Sequence, residues 1–318
     1  MDRTIIGVDL GGTQMRVARF DAHLNIQERL AEPTKAREGR DRVISRLLDL
    51  IARVVPDDPA ALEGIGVSVP GPINPHEGTV VKPPNLPGWH HVPIRQIIQE
   101  RFGCPTYLGN DANVAALAEA TRGAAKGHRY VLYLTVSTGI GSGILDDGRL
   151  LVGAHGLGAE AGHMLMMVDG EVKDIEAVAS GTAIARQAVE RLRAGEVSLI
   201  RDLVNGDLDA VSARIVAQAA AQGDRLATSL IERAGFMVGL AVVSLLHVLN
   251  PQIVVIGGGV SNAGELLFAP LRRAVAEYVL DPAYCQKLPI VPASLGDNVA
   301  LIGAAALVAT HGGSFLPS

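Results

Sequence analysis

The chain opens on an apolar stretch, Thr4-Ile-Ile-Gly-Val, that runs into Asp9-Leu-Gly-Gly-Thr13. An apolar run closed by glycines predicts a buried strand entering a tight turn. Over residues 15–20, Met15, Val17 and Phe20 alternate with polar neighbours, and turn residues fill 21–25. The two segments predict a hairpin, not the strand–loop–helix of a dinucleotide-binding unit. The pattern then recurs. Residues 130–136 form an apolar strand, 137–143 a glycine turn, Ile144-Leu145 the start of a second strand and Asp146-Asp147-Gly148 its turn. Aligning Gly11 with Gly139 superimposes the two hairpins and predicts a duplicated structural unit.

Further strands are expected at 64–69, 105–108, 253–256 and 289–291. Helices are expected at 112–121, stopped by Gly123, and at 300–310, which is Ala-rich. The second half of the chain is expected to be mostly helical until 253. The longest apolar stretch, 235–249, contains Ser244 and His247. It falls short of the ~20 residues of a membrane span, so a buried helix is expected and no membrane partner. No low-complexity linker divides the halves; the boundary is expected within helices near 112–125.

Composition narrows the class. At ~150 residues per domain, 318 residues suggest two domains. With 48% hydrophobic and 19% charged residues the chain can bury a core. The 36 glycines lack a three-residue period, which excludes collagen. Cys104 and Cys285 cannot build a disulfide framework or a cysteine-rich zinc module. They fit a reducing cytoplasm, as does the absence of a signal peptide in Met1-Asp2-Arg3-Thr4. A net charge of −5 argues against nucleic-acid binding. The local basic cluster of Lys35, Arg37, Arg40, Arg42 and Arg46, interrupted by Glu38 and Asp41, reads as a solvated helix face.

Three glycine turns follow three strands. Asp9 with Gly11, Gly12 and Thr13 places a carboxylate, bare backbone and a hydroxyl at one strand end. Phosphate binding needs these groups, and the carboxylate can hold Mg²⁺ through water; a plain hairpin turn reads as well. Thr138 and Gly139 offer the same chemistry, and Gly257, Gly258 and Gly259 a side-chain-free surface for an adenine or ribose. Asn110-Asp111 joins a strand to a helix. On these residues alone a helix cap is the readier reading, and a general base the functional one. Glu160 and His163 share a face if their segment is helical, and Glu176 lies thirteen residues further. Such polar groups suit a sugar, a metal half-site or a solvated turn. Asn85 sits in a proline-rich loop with Trp89, a rigid connector or a lid; His90 and His91 are expected at the surface.

Taken together, the motifs resemble the ROK family (repressors, open reading frames, sugar kinases), and within it the bacterial glucokinases. The resemblance covers Thr4 to about Thr310. It rests on Asp9-x-Gly-Gly-Thr13, on Val136, Gly139, Gly141, Gly143, Gly153 and Gly162-His163, and on Asn250-Pro-Gln-Ile-Val-Val-Ile-Gly-Gly-Gly-Val260. It implies a two-lobed actin-like ATPase (ribonuclease H-like) α/β fold with duplicated domains around a cleft. One lobe would span 1–115, joined by a C-terminal helix 298–318, and the other 116–297. It implies ATP- and Mg²⁺-dependent phosphorylation of a hexose, glucose first, in carbohydrate metabolism and glycolysis. Asp111 becomes the base for the 6-hydroxyl, reversing the reading as a mere cap. Asn85, Asn110, Asp111, Glu160, His163 and Glu176 become sugar contacts. Asp9, Gly11, Gly12, Thr13, Thr138, Gly139, Gly257, Gly258 and Gly259 become nucleotide and Mg²⁺ contacts. A homodimer or homotetramer is the family tendency. Polyphosphate as donor, and N-acetylmannosamine, N-acetylglucosamine, fructose or allose as acceptor, remain open alternatives. A DNA-binding repressor is disfavoured because Asp9 stands nine residues from the start.

Two departures stand out. Typical members carry Cys-x-Cys-Gly-x-x-Gly-Cys before the residue matching Glu176, and three of its cysteines with the His hold zinc. Here residues 164–175 contain no cysteine and form a shorter stretch, so no structural zinc is expected, and Leu165, Met166, Met167 and Val168 are expected to pack in its place. The other is Gln14, where Lys or Asn is common.

Overall fold

The N-terminal hairpin forms as β1 (Thr4–Leu10) and β2 (Gln14–Phe20), antiparallel and in a register that sets Asp9 opposite Arg16. The structure is a computed structural model and describes residues 3–315. After the 21–25 turn the chain makes a strand that the hydrophobic pattern did not signal: β3 (Ile26–Pro33) returns antiparallel along β2. None of its residues is fully buried. An edge strand with one half-covered face has no apolar stripe to read. Beyond helix α1 (Arg40–Ala52), β4 (Leu62–Val69) pairs parallel with β1. A short hairpin, β5 (Ile73–Asn74) with β6 (Thr79–Val80), and helix α2 (Ile94–Phe102) lead to β7 (Thr106–Asn110), which is parallel to β4. The sheet order is β3-β2-β1-β4-β7. Helix α3 (Asp111–Arg122) starts directly at the end of β7.

The second sheet repeats this plan. Its strands are β8 (Val131–Val136), β9 (Ile140–Asp146) and β10 (Arg149–Leu150), then, after a hairpin of β11 (Leu165–Val168) and β12 (Glu171–Asp174), β13 (Ile253–Gly257) and β14 (Ile290–Pro292). The order β10-β9-β8-β13-β14 matches the first sheet strand for strand, as duplication predicts. One boundary differs from expectation. β9 starts at Ile140, not Ile144, so Gly141 and Gly143 are strand residues and the turn shrinks to 137–139. Gly143 is there for packing: a Cβ on it would lie 2.5 Å from the Ala112 carbonyl oxygen.

The helices after β12 are α4 (Ile175–Ala179), α5 (Gly181–Arg193), α6 (Leu199–Leu203), α7 (Ala213–Ala221), α8 (Arg225–Leu249), α9 (Glu265–Tyr278) and α10 (Val299–Ala309). The chain divides into two units. The first runs to Val131 and adds Gly143–Ala159 and the chain from Ala293; the second comprises Leu132–Ser142 and Glu160–Pro292. A boundary within 112–125 does not coincide with this division, because α3 packs against α10 and stays whole in the first unit. The helix expected over 298–318 ends at Ala309, and residues 316–318 lie outside the described residues.

In the first unit, α10 lies on β1 and β4 with α3 beside it, so nearly all of its apolar surface is covered. Glu119 at the far end of α3 is fully buried and accepts four hydrogen bonds of 2.7–3.1 Å, from the Ala124, Ser294 and Leu295 amides and the Ser294 hydroxyl. It thereby fixes the segment leading into α10. In the second unit, the apolar 235–249 stretch belongs to the 25-residue α8. By length and composition α8 could cross a membrane, but 67% of its apolar window is buried against neighbours that include α9, α7, α5 and α4.

Candidate active site

In the first unit, Asp9 sits near the end of β1. Its Oδ2 accepts a hydrogen bond from Arg16 Nε at 2.7 Å, and the ion pair is closed by Nη2 at 2.5 Å from the same oxygen. Arg16 also donates through Nη1 to the Asp297 carbonyl at 2.8 Å. Protein packed around the Asp9 carboxyl raises its pKa, and Arg16 pulls it back down. Oδ1 stays without a hydrogen bond among the described residues. A single carboxylate oxygen beside bare backbone suits Mg²⁺ held through water, since that ion keeps most of its hydration shell. The sequence reading missed Arg16. Its place follows from the turn: four residues, 11–14, separate the paired Leu10 and Met15, which sets residue 16 across from residue 9.

The loop that follows carries Gly11, Gly12 and Thr13. Asn85 lies against it so closely that a Cβ on Gly12 would stand 2.6 Å from the Asn85 Cβ. Asn85 is exposed, while Leu86 and Trp89 beside it are buried to within 1%. Those two anchors make the proline-rich loop a fixed platform rather than a loose lid. His90 and His91 are exposed, as expected.

At the end of β7 the two candidate roles fall to different residues. Asn110 is the cap of α3: its Oδ1 accepts the Asn113 amide at 2.7 Å. Its side-chain amide remains able to donate to a ligand. Asp111 is the first helical residue, and its Oδ1 accepts the Ala112 amide at 2.9 Å. It is accessible to solvent at its tip, yet the protein crowding its carboxyl raises its pKa, and the charge of Asp9 raises it further. A carboxylate lifted this way is a better proton acceptor than an ordinary surface Asp.

The second unit holds the other candidates. Thr138 and Gly139 lie in a turn tied to the start of α5: the Gly181 amide donates to the Ser137 carbonyl at 2.6 Å and the Thr182 hydroxyl to the Thr138 carbonyl at 2.7 Å. Glu176, at the start of α4, accepts the Ile140 amide at 2.7 Å and crowds Gly139, where a Cβ would stand 2.3 Å from its Oε2. Glu176 and this turn are therefore in contact. Glu160 precedes and His163 ends a short 3₁₀ turn, Ala161–His163, rather than sharing an α-helix face, and both are exposed. His163 Nδ1 lies 3.4 Å from an oxygen of Asp174, a residue the sequence reading passed over; its other oxygen caps α4. That contact engages Nδ1 and leaves Nε2 of the exposed ring without a hydrogen bond among the described residues.

The β11–β12 hairpin occupies residues 165–174, and its packing corrects the expectation for this stretch. Val168 is buried, but Leu165 is 72% and Met167 68% exposed. Strand alternation turns these two outward, and the ladder of the hairpin holds the segment instead. Among Gly257, Gly258 and Gly259, only the last offers open space. A Cβ on Gly257 would meet the Tyr133 hydroxyl at 2.4 Å, and one on Gly258 the Val136 carbonyl oxygen at 2.3 Å. Two of the three glycines thus admit the neighbouring strand, and only Gly259 presents open, side-chain-free backbone.

Known proteins bear on this arrangement. The sequence profile of the ROK family matches residues 5–311. The chain is 37% identical over 310 residues to the glucokinase of Thermotoga maritima, with 96% of each chain covered. Among solved structures, the ROK hexokinase from Thermus thermophilus is 35% identical with a TM-score of 0.78, covering 95% of this chain and 97% of that one. The ROK family glucokinase from Streptomyces griseus, solved in complex with glucose and AMPPNP, is 28% identical with a TM-score of 0.78, covering 96% and 98%. Fold and similarity define the class, a sugar kinase of the actin-like ATPase fold. Within that class the chain belongs to the ROK family.

Proposed function

We propose that the protein transfers the γ-phosphoryl group of ATP to the 6-hydroxyl of a hexose, with glucose as the first substrate. The observation that carries this reading is Asp111, a carboxylate of raised pKa at the end of β7 whose neighbour Asn110 has taken over the helix cap. Asp111 accepts the proton of the 6-hydroxyl as its oxygen bonds to the γ-phosphorus. The bond from that phosphorus to the bridging oxygen breaks, and ADP leaves with the electron pair. The Asn110 amide donates to a second sugar hydroxyl, and Asn85, Glu160, His163 and Glu176 pair with others. Gly11, Gly12, Thr13, Thr138 and Gly139 offer backbone and hydroxyl donors to phosphates, and Gly259 its bare face to the adenosine. Mg²⁺, held through water by Asp9, would supply charge neutralisation on those phosphates.

The likeness to the Thermotoga maritima glucokinase supports glucose over other acceptors. A coupled assay tests this with glucose, N-acetylmannosamine, N-acetylglucosamine, fructose and allose, each with ATP and with polyphosphate. The expected result is the highest kcat/KM for glucose with ATP. Absence of phosphorylation of every sugar with both donors overturns the reading.

A further inference from the structure

The basic cluster after β3 is not uniformly a solvated face. Arg46 donates to the Thr34 carbonyl at 2.7 Å and engages the Glu38 carboxylate, and Arg40 pairs with Asp41 at 2.8 Å. Three cations are left with little to hold, and one of them, exposed Arg42, does not line the cavity to which the other two belong. Lys35 Nζ is 3.9 Å from Oε1 of Glu38, whose other oxygen is held by Arg46, and exposed Arg37 has no ion pair or hydrogen bond among the described residues. Both line a cavity of about 460 Å³ together with Gly12, Thr13, Asn85 and Glu38.

Their place there is built in. Thr34 is fully buried and staples the end of β3 to the first glycine loop, its amide donating to the Thr13 carbonyl at 2.8 Å and its hydroxyl to the Gly11 carbonyl at 2.6 Å. Lys35 follows immediately in a left-handed conformation, φ 51° and ψ 49°. A lysine pays strain for that geometry, and such strain clusters where ligands are held. The loop itself carries no free cation among the described residues. Position 14 carries neutral Gln14, and the charge of Arg16 is engaged by Asp9.

We propose that this cavity is a phosphate-binding subsite, with Lys35 and Arg37 as its cations and the Gly12–Thr13 backbone as its floor. The ligand chemistry is a phosphate group, carried by the donor nucleotide or by the phosphorylated sugar. The inference rests on the kinase reading only for the source of that phosphate. Charge-assisted contacts from an ammonium and a guanidinium beside free backbone amides are the usual means of holding such a group.

Calorimetric titration of the full chain tests it, with inorganic phosphate, glucose 6-phosphate, AMPPNP and glucose as separate ligands. The double variant Lys35→Asn/Arg37→Gln keeps a residue that tolerates the left-handed region at 35. Loss of two charged contacts should weaken at least one of the three phosphate ligands by about tenfold or more, with glucose affinity held within about twofold. Weakening confined to glucose 6-phosphate assigns the subsite to the product; weakening confined to AMPPNP assigns it to the donor. Affinities unchanged for all three, or no phosphate ligand binding the native chain, overturn the proposal. If the double variant also loses glucose, Arg37→Gln decides: about threefold weaker phosphate binding with glucose retained supports the subsite, and no change overturns it. Turnover in the sugar panel tests the kinase reading separately.

Discussion

The hairpins β1–β2 and β8–β9 occupy the same place in matching sheets but carry different charge. In the first, Asp9 faces Arg16 across the ladder; counted from the aligned glycines Gly11 and Gly139, the second has Ser137 and Ile144 at those positions. Its carboxylate comes instead from Glu176, reaching in from α4 to the Ile140 amide. Duplication therefore copied the scaffold and not the chemistry. The first turn carries a fixed pair of charges, Asp9 with Arg16, while the second offers mainly backbone and hydroxyl groups braced by a helix.

This contrast can be broken by experiment. The largest effect is expected at the charged hairpin. Asp9→Asn should lower kcat by roughly 10²-fold, the scale of losing one preorganised electrostatic group, while Ser137→Ala should cost less than about tenfold. Equal losses in steady-state assays would mean that the two turns do the same work. Next comes close packing. Gly12→Ala pushes on Asn85 and should raise the sugar KM about tenfold, since small displacements of positioning groups are costly. On Gly259 an added Cβ meets nothing of the protein within 4 Å, so Gly259→Ala should leave the sugar KM near native and raise only the ATP KM, by a few-fold, as the methyl intrudes on the adenosine face.

A smaller effect concerns stability. The pKa of Asp111 is higher in the folded protein than its ordinary value, so folding favours the protonated acid. That contribution is present at low pH and lost as pH rises through the folded pKa. Asp111→Asn should accordingly raise Tm at pH 7, with the gain vanishing below pH about 4, where native Asp111 is protonated in both states. Calorimetric melts at the two pH values check the sign; a lower Tm at pH 7 contradicts it. The same titration predicts that kcat falls on the acid side as Asp111 takes up its proton. The smallest expectation is compositional: elemental analysis of the purified protein should show no stoichiometric zinc, the β11–β12 hairpin standing where relatives carry cysteines.

Much of this was legible in the sequence because apolar runs and glycines mark buried strands and their turns. β1, β4, β8 and β13 read directly, and the recurrence of the hairpin pointed to duplication before the matching strand orders were seen. What escaped has physical reasons. β3 is an edge strand with no buried stripe. Gly141 and Gly143 read as turn residues, yet a glycine that makes room for a helix inside a strand has the same letter. Leu165 and Met167 read as packing residues, although alternation on a short hairpin turns both outward. At β7 the sequence offered cap and base for the same dipeptide, and only the hydrogen bonds divide them: Asn110 caps, and Asp111 keeps an oxygen available.

The central claim is that Asp111 removes the proton from the attacking hydroxyl. Its most direct test is Asp111→Asn, with glucose affinity measured by calorimetry and turnover measured on the same preparation. The expected outcome is glucose affinity within about threefold of native and a kcat lower by roughly 10²–10⁴-fold, the usual share of a general base. Near-native turnover in that variant, with glucose still bound, would contradict it.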